Sequence, residues 1–537
     1  MGAAISAIRD IVRSILATIT LLQGQYAGFK AAIDHASLSP GLPVSNPTTP
    51  YWTQDPPYPD LVKRQSAELP SEVDVAIIGS GISGAAVAHS LLSASHALNG
   101  RAFGKIVVLE ARDICSGATA RNGGHIKSSA YDVYPRFAKT MPRDRAAALT
   151  RFQLKHLDLL VKLCKARKID AAEAREVETV DLFLDDESFK KAATNVQETK
   201  AGLPEEAIRI WQREEAQKKF GTGQSVHGAI SYQAGALWPY RFVTTIWHQL
   251  LAEFPDTLSV ETHTPVEAIT TGAPGTPKDY PYALQTPRGT IHARNVVHAT
   301  NGHASHLVPG MRRKITPARA HMSAQKPGGL FPADHGAHRS WGVVYEQGFD
   351  YVTQRPPSAE DAGQSQGDLM LGGGFVRSPK QGVDMIAVAD DGASLDGLTL
   401  AHVAGVFPAV FSPAWGAGGE LKQTWSGTLG FTGDLIPLVG KLDKSVTGRT
   451  PQSGTDPGPE EKPCGEWITA GFSGEGMVWA WLCGTALGVI MTGRENDDMA
   501  GSPGLPAGRL DDWFPREILV SKERLRSADL TNLPNQL

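Results

Sequence analysis

The run Val73-Asp74-Val75-Ala76-Ile77-Ile78, followed at once by Gly79-Ser80-Gly81-Ile82-Ser83-Gly84, constrains this chain more than any other feature. A short, almost wholly apolar segment is what a central parallel strand, buried on both faces, requires. Ala85-Ala86-Val87-Ala88-His89-Ser90-Leu91-Leu92 then reads as a small-residue helix. After the polar insertion Ser93–Gly104, Lys105–Glu110 reads as a second strand ending in an acid. Strand, glycine turn, helix and strand in this order form a βαβ unit. Gly79 permits the tight turn, Gly81 takes a Cβ out of the path of a pyrophosphate, and Gly84 lets helix and strand approach. The amide hydrogens of the turn and the positive helix end, roughly half an elementary charge, would then face phosphates. Glu110 lies 31 positions after Gly79, beyond the usual spacing of about 20, and the insertion accounts for the excess. A carboxylate there accepts hydrogen bonds from ribose hydroxyls and repels a 2′-phosphate, which disfavours NADP and leaves FAD or NAD.

The remainder of the 537 residues sets the organisation. A net charge of −4 with no Lys/Arg block gives no nucleic-acid partner. The four cysteines, Cys115, Cys164, Cys464 and Cys483, form neither a CxxC pair nor a disulfide framework, so an intracellular, cytoplasmic setting is expected. In residues 1–36, Ile8, Ile11, Val12, Ile15, Ile19 and Leu22 recur at helical spacing. Three readings compete for this segment: a helix docked on the body or on a second subunit, a helix lying on a membrane surface, and a signal peptide. The start Met1-Gly2-Ala3-Ala4-Ile5-Ser6 also fits the myristoylation pattern. Residues 37–70 carry eight prolines and form an extended connector. Its aromatics Tyr51, Trp52 and Tyr58 indicate packing along the body. Further on, 141–170 reads as helical. Strands are expected at Asp368–Leu371 and Phe375–Arg377, a surface insertion at 445–463, and a strand–glycine–helix unit from Trp467 to Met491.

Beyond Glu110, Ala111 and Arg112 the chain runs Ser116-Gly117-Ala118-Thr119, then Arg121-Asn122-Gly123-Gly124-His125. With the βαβ start, this resembles the D-amino-acid-oxidase-type FAD-dependent oxidoreductase superfamily, the group of glycine, sarcosine and γ-glutamylputrescine oxidases. Four later stretches resemble it in family order: Thr262–Val266, Asn295–Gly302, Trp425–Gly440 and Ala470–Met477. The Pro-rich lead and long insertions resemble fungal members. The resemblance selects FAD over NAD. It implies an α/β fold, with a Rossmann-like FAD-binding domain of the GR2 flavoprotein type and an interleaved α+β substrate domain built on a mixed sheet. The FAD domain would take 71–135, 236–320 and 425–500, the substrate domain 136–235 and 321–424, and 501–537 would be a C-terminal extension. The resemblance assigns the cofactor to Gly79, Ser80, Gly81, Ile82, Ser83 and Gly84; to Glu110, Ala111, Arg112, Ser116, Gly117, Ala118 and Thr119; and to Arg121, Asn122, Gly123, Gly124 and His125. It adds Val266, Ala299, Thr300 and Gly302, and the helix start at Gly474, Glu475, Gly476 and Met477. Residues that would attach flavin covalently are missing near Gly427 and Arg121, so non-covalent FAD is expected.

The implied reaction moves a hydride equivalent from a C–H beside nitrogen to flavin N5, in a small amine or amino acid, with O2 or another carrier as electron acceptor. The nitrogen must be unprotonated, and a free amine titrates near about 10. A dry, aromatic pocket disfavours the cation. Trp341, Tyr345, Phe349 and Tyr351 are the candidate wall, with ordinary sheet core as the other reading. For a carboxylate substrate, Arg377 is the first candidate clamp, and His125 a candidate contact to substrate or flavin. Met370 stands where several amine oxidases carry a lysine near N5. Two rival readings are an FAD monooxygenase, which needs NAD(P)H, and a non-catalytic binder on the same fold.

Overall fold

The structure is a computed structural model that describes residues 28, 30–97, 103–346, 348–356, 367–451 and 464–535. Two mixed sheets organise it. The strand expected at Val73 is β1 (Glu72–Ile78), central in an eight-stranded sheet. It pairs in parallel with β2 (Ile106–Leu109) and with β10 (Gly289–His298). β7 (Leu258–Glu261) lies parallel beside β2, and β17 (Gly465–Ala470) beside β10. Antiparallel additions close the edge: β16 (Leu438–Lys441) on β17, and β9 (Tyr282–Thr286), carrying β8 (Ala268–Thr271), on β10. β1 and β2 are buried along almost their whole length, as strands covered on both faces must be.

Helix α1 (Ile82–Ala97) follows the first glycine turn, and α2 (Ala480–Met491) follows β17. The two pack closely because both present small residues. A Cβ on Gly484 would sit 2.7 Å from Ala86 Cβ and 2.8 Å from the Ser83 carbonyl, and one on Gly488 would sit 2.5 Å from Ser90 Cβ. This contact brings the amino ends of both helices to the same cavity, which Ile82, Ser83, Gly476 and Ala480 line.

The second sheet has nine strands, in the order β15 (Glu420–Phe431), β11 (Thr316–Lys326), β14 (Leu369–Gly372), β13 (Gly348–Gln354), β12 (Arg339–Tyr345), β4 (Arg175–Phe183), β6 (Gly228–Ala236) and β3 (His125–Ile126), with β5 (Arg209–Gln212) on β6. Only β12 and β4 run parallel. The chain enters this sheet at β3, inside the 71–135 block. β11 and β15 straddle the expected boundaries at 320 and 425, because each is one long strand paired to the other along its length.

Three expectations change here. Phe375–Arg377 is a 3₁₀ turn, not a strand. Gly373 and Gly374 take φ of 157° and 71°, and the Gly374 amide donates to Asp350 Oδ1 at 2.8 Å, which turns the chain out of the sheet. The aromatic quartet divides by the alternation of strand residues. Trp341 and Tyr345 join the core with Phe331, Phe407, Phe411 and Trp415, while Phe349 and Tyr351 line the cavity. Met370 is fully buried in the core.

The connector packs along the body. Trp52 is 2% exposed; its indole donates to the Asn122 carbonyl at 2.5 Å, and its carbonyl accepts from Trp238 at 2.8 Å. Residues 30–36 are helical, with Ala36 buried against Ala387 and Leu530. The apolar repeat and the myristoylation pattern in residues 1–27, and the centre of the 445–463 insertion, lie outside the described residues.

Candidate active site

A cavity of about 510 Å³ runs from the first glycine turn to the face of the second sheet. Its nucleotide end is built from backbone. A Cβ on Gly79, whose φ is 108°, would stand 2.6 Å from the Ala299 carbonyl, and one on Gly84 would overlap the Gly79 carbonyl. A Cβ on Gly81 would stand 3.0 Å from Thr119 Oγ1, the atom that accepts from the Ile82 amide at 3.0 Å. Two turn amides are therefore held by the protein: Ile82 by Thr119, and Ser80 by Glu110 at 3.1 Å. Glu110 Oε2 also accepts the Ser80 hydroxyl at 2.6 Å, and Oε1 accepts the Arg112 amide at 3.0 Å. A carboxylate offers about four acceptor positions, so Glu110, which lines the cavity, keeps capacity for a ribose hydroxyl.

Most of the residues assigned to the cofactor do line this cavity: Gly79, Gly81, Ile82, Ser83, Glu110, Ala111, Arg112, Gly117, Ala118, Thr119, Arg121, Asn122, Gly123, His125, Val266, Ala299, Thr300, Gly302, Gly474, Glu475, Gly476 and Met477. Four stand behind its wall. Ser80 braces the turn, its hydroxyl also accepting from the Cys115 amide at 2.7 Å. Gly84 serves helix packing. The Ser116 carbonyl accepts from Arg121 Nε at 2.9 Å. Gly124, at φ 65°, fits under the Leu237 carbonyl.

Arg112 and Arg121 are fixed by one acid that sequence reasoning missed. Asp391 accepts from both terminal nitrogens of the Arg112 guanidinium, at 2.9 and 3.0 Å, and lies 3.2 Å from Arg121 Nε. Burial pulls the Arg121 guanidinium down to about 10, against the pull of Asp391. Thr48 of the connector joins this cluster. Its hydroxyl accepts from Arg121 at 3.1 Å and from the Ser426 amide at 2.9 Å, and donates to the Asp391 carbonyl at 2.8 Å. Asp391 sits in a loop with no motif, so no local signal marks it.

Asn122 shapes the turn that carries Gly123. Its side chain donates to the Ala118 and Thr119 carbonyls at 3.2 and 3.1 Å and accepts from the Gly124 amide at 2.7 Å. Gly123 is a glycine because a Cβ there would stand 2.6 Å from the Tyr351 ring. Tyr351 stacks on Phe349, with ring centres 6.2 Å apart, and lies 6.3 Å from His125. Burial pushes the Tyr351 phenol up to about 12. It holds His125 well below the imidazole range, and Lys127 and Arg175 add to this. His125 is thus neutral, with Nε2 2.9 Å from Ser340 Oγ.

Arg377 is not at the cavity. It is exposed and stacks over Tyr345 at 4.5 Å. The basic side chain on this wall is Lys127 instead. Its ammonium lies 2.5 Å from Asp181 Oδ1 and 4.8 Å from the Phe349 ring centre. A signal was available: His125, Lys127 and Ser129 alternate, as one face of an extended segment does, and all three line the cavity.

The residues fit FAD. The turn has no side chain where a pyrophosphate would lie, the amino ends of α1 and α2 both open onto the cavity, and Thr300 Oγ1 on the wall is buried without a partner. Comparison with known proteins agrees. The family model for FAD dependent oxidoreductases (DAO) matches residues 74–488. Comparison with curated protein sequences finds no match. Among solved structures the chain is similar to L-proline dehydrogenase from P. horikoshii, with TM-score 0.56, 20% identity and coverage of 79% of this chain and 94% of that one. It is also similar to glycine oxidase from Geobacillus kaustophilus, with TM-score 0.57, 16% identity and coverage of 83% and 98%. For L-amino acid deaminase from Proteus vulgaris the values are 0.55, 16%, 82% and 96%. These likenesses show a shared fold. With the cradle, the two helix amino ends and a family match across most of its length, the chain belongs to the DAO family of FAD-dependent oxidoreductases.

Proposed function

We propose that this enzyme oxidises the C–N bond of a small amine or amino acid. The observation that carries the reading is the wall beyond Gly123, where Tyr351 and Phe349 stack beside a buried, neutral His125. An ammonium loses hydration on entering such a space and meets the repulsion of the Lys127 ammonium, which already lies 4.8 Å from the Phe349 ring centre. The wall therefore favours the unprotonated amine, whose lone pair must be free for C–H cleavage. The names of the solved relatives, proline dehydrogenase, glycine oxidase and amino acid deaminase, support a nitrogen substrate.

FAD, when bound, supplies the two-electron acceptor. The chain's own residues bind and orient. Gly79 and Gly81 admit the phosphates, Glu110 takes a ribose hydroxyl, and the amino end of α2 with Gly474–Met477 favours negative charge at the flavin end. Tyr351 and Phe349 form the wall against which a substrate would lie.

Anaerobic mixing of the purified yellow protein with a panel of amines and amino acids tests this. The reading requires at least one to bleach the flavin, and NADPH to leave it oxidised. Reduction by NADPH alone would make the protein a monooxygenase. Adding O2 or an artificial carrier to the reduced enzyme then identifies the acceptor.

A further inference from the structure

Three cationic side chains reach the cavity among the described residues besides its histidines: Arg112, Arg121 and Lys127. The two arginines belong to the nucleotide end, where Asp391 holds both. Lys127 is the one at the substrate end, beside Phe349 and His125.

Its setting is built. The Lys127 side chain is 6% exposed and Asp181 is fully buried. Asp181 Oδ2 accepts from the Tyr131 and Tyr232 hydroxyls at 2.8 and 2.7 Å, leaving Oδ1 for Lys127. Gly342 makes room for the pair: a Cβ there would overlap Asp181 Oδ1 and stand 2.9 Å from Lys127 Nζ. Three donors share the charge of Asp181, so it compensates the ammonium only in part. An ammonium carries three N–H donors. Asp181 takes one, and no second hydrogen-bond acceptor meets Lys127 among the described residues. The lysine is held by Asp181 and by the Phe349 and Tyr232 rings at 4.8 and 5.8 Å, and donor capacity remains on the cavity side.

We propose that Lys127 binds an anionic group of the substrate, and that the substrate is an amine bearing a carboxylate. This rests on the amine-oxidation reading. It gives Lys127 the task that the sequence pattern suggested for Arg377. A compact point charge suits a carboxylate arriving from one direction, where an arginine fork would demand bidentate geometry.

Titration of the holoenzyme with benzoate and with benzamide, followed through the flavin spectrum, tests the assignment. Lys127→Met removes the charge. Lys127→Met/Asp181→Asn removes both partners, so no buried carboxylate is left alone if the single variant fails to fold. Lys127→Arg restores the charge. The benzoate Kd is expected to rise at least about 30-fold in both Met variants while the benzamide Kd moves less than about 3-fold, and arginine should recover most of the loss. A double variant that binds benzoate like the parent, or that loses both probes equally, would overturn the proposal. The amine panel separates the two readings. Bleaching by amines with unchanged benzoate binding removes only the role of Lys127. Selective loss of benzoate binding in a protein that no amine bleaches removes the amine reading, and with it the amine half of the proposal, and leaves Lys127 as the anion site.

Discussion

Glu110 holds Ser80 twice, accepting its amide at 3.1 Å and its hydroxyl at 2.6 Å. The end of the second strand is thereby tied to the turn after the first, which sets the width of the nucleotide crevice. The glycines in that turn carry different loads. Gly84→Ala drives a Cβ into the Gly79 carbonyl and should prevent folding or lower the melting temperature steeply. At Gly81 the nearest atom is the Thr119 hydroxyl at 3.0 Å, which can yield slightly. Gly81→Ala should fold normally yet hold FAD at least about 10-fold more weakly, because the methyl stands in the crevice. Thermal melts and flavin content after gel filtration distinguish the two.

Among the described residues Asp391 is the one acid paired with Arg112 and Arg121, and its side chain is 3% exposed. Removing one member of a buried ionic cluster leaves charge uncompensated, at a cost of about 3–5 kcal/mol. Asp391→Ala should lower stability by that order in urea unfolding. It should also speed FAD release, since the connector residue Thr48 is anchored on the same cluster.

Tyr351 acts by its ring. The hydroxyl donates to the Met322 sulfur at 3.2 Å, a weak acceptor, and its other partner is the Gly123 backbone. Tyr351→Phe should leave kcat/KM within about 3-fold, while Tyr351→Ala, which opens the wall over Gly123, should reduce it on the order of 100-fold. Arg377→Ala, at an exposed site, should change KM by less than about 2-fold. Steady-state kinetics on the best substrate of the panel measures all three.

Acid stability should report Glu466. Burial raises its carboxyl, but the Arg449 and His298 hydrogen bonds outweigh this and bring it to about 2. The folded carboxyl is then more acidic than the unfolded one, so its stabilisation is complete above about 4.5 and fades as pH falls toward 2. The displacement corresponds to about 3 kcal/mol. Glu466→Gln should be less stable than the parent at pH 6, with the gap closing between pH 4.5 and 2 in denaturant titrations.

The nucleotide half was legible because its signals are local. An apolar strand, three glycines and a terminal acid fix one turn, and the motifs after it keep their order. The substrate half depends on long-range pairing. Phe375-Val376-Arg377 has strand composition, but the backbone of Gly373 and Gly374 and the carboxylate of Asp350 decide its path. Trp341 and Phe349 look alike in sequence, and only the register of β12 against β13 sends one to the core and the other to the cavity. Asp391 joins partners some 270 positions away, beyond the reach of any motif. Lys127 is the exception: its alternation with His125 and Ser129 is a local signal, next to the stronger one of the glycines.

The most direct test of the central claim is a single-turnover experiment without oxygen, in which an amine or amino acid is mixed with the purified enzyme and flavin absorbance and product are measured together. The account predicts that each equivalent of flavin bleached yields one equivalent of the carbonyl compound left when the substrate's imine hydrolyses. A flavin that no nitrogen compound reduces, or one reduced without a carbonyl product, would contradict it.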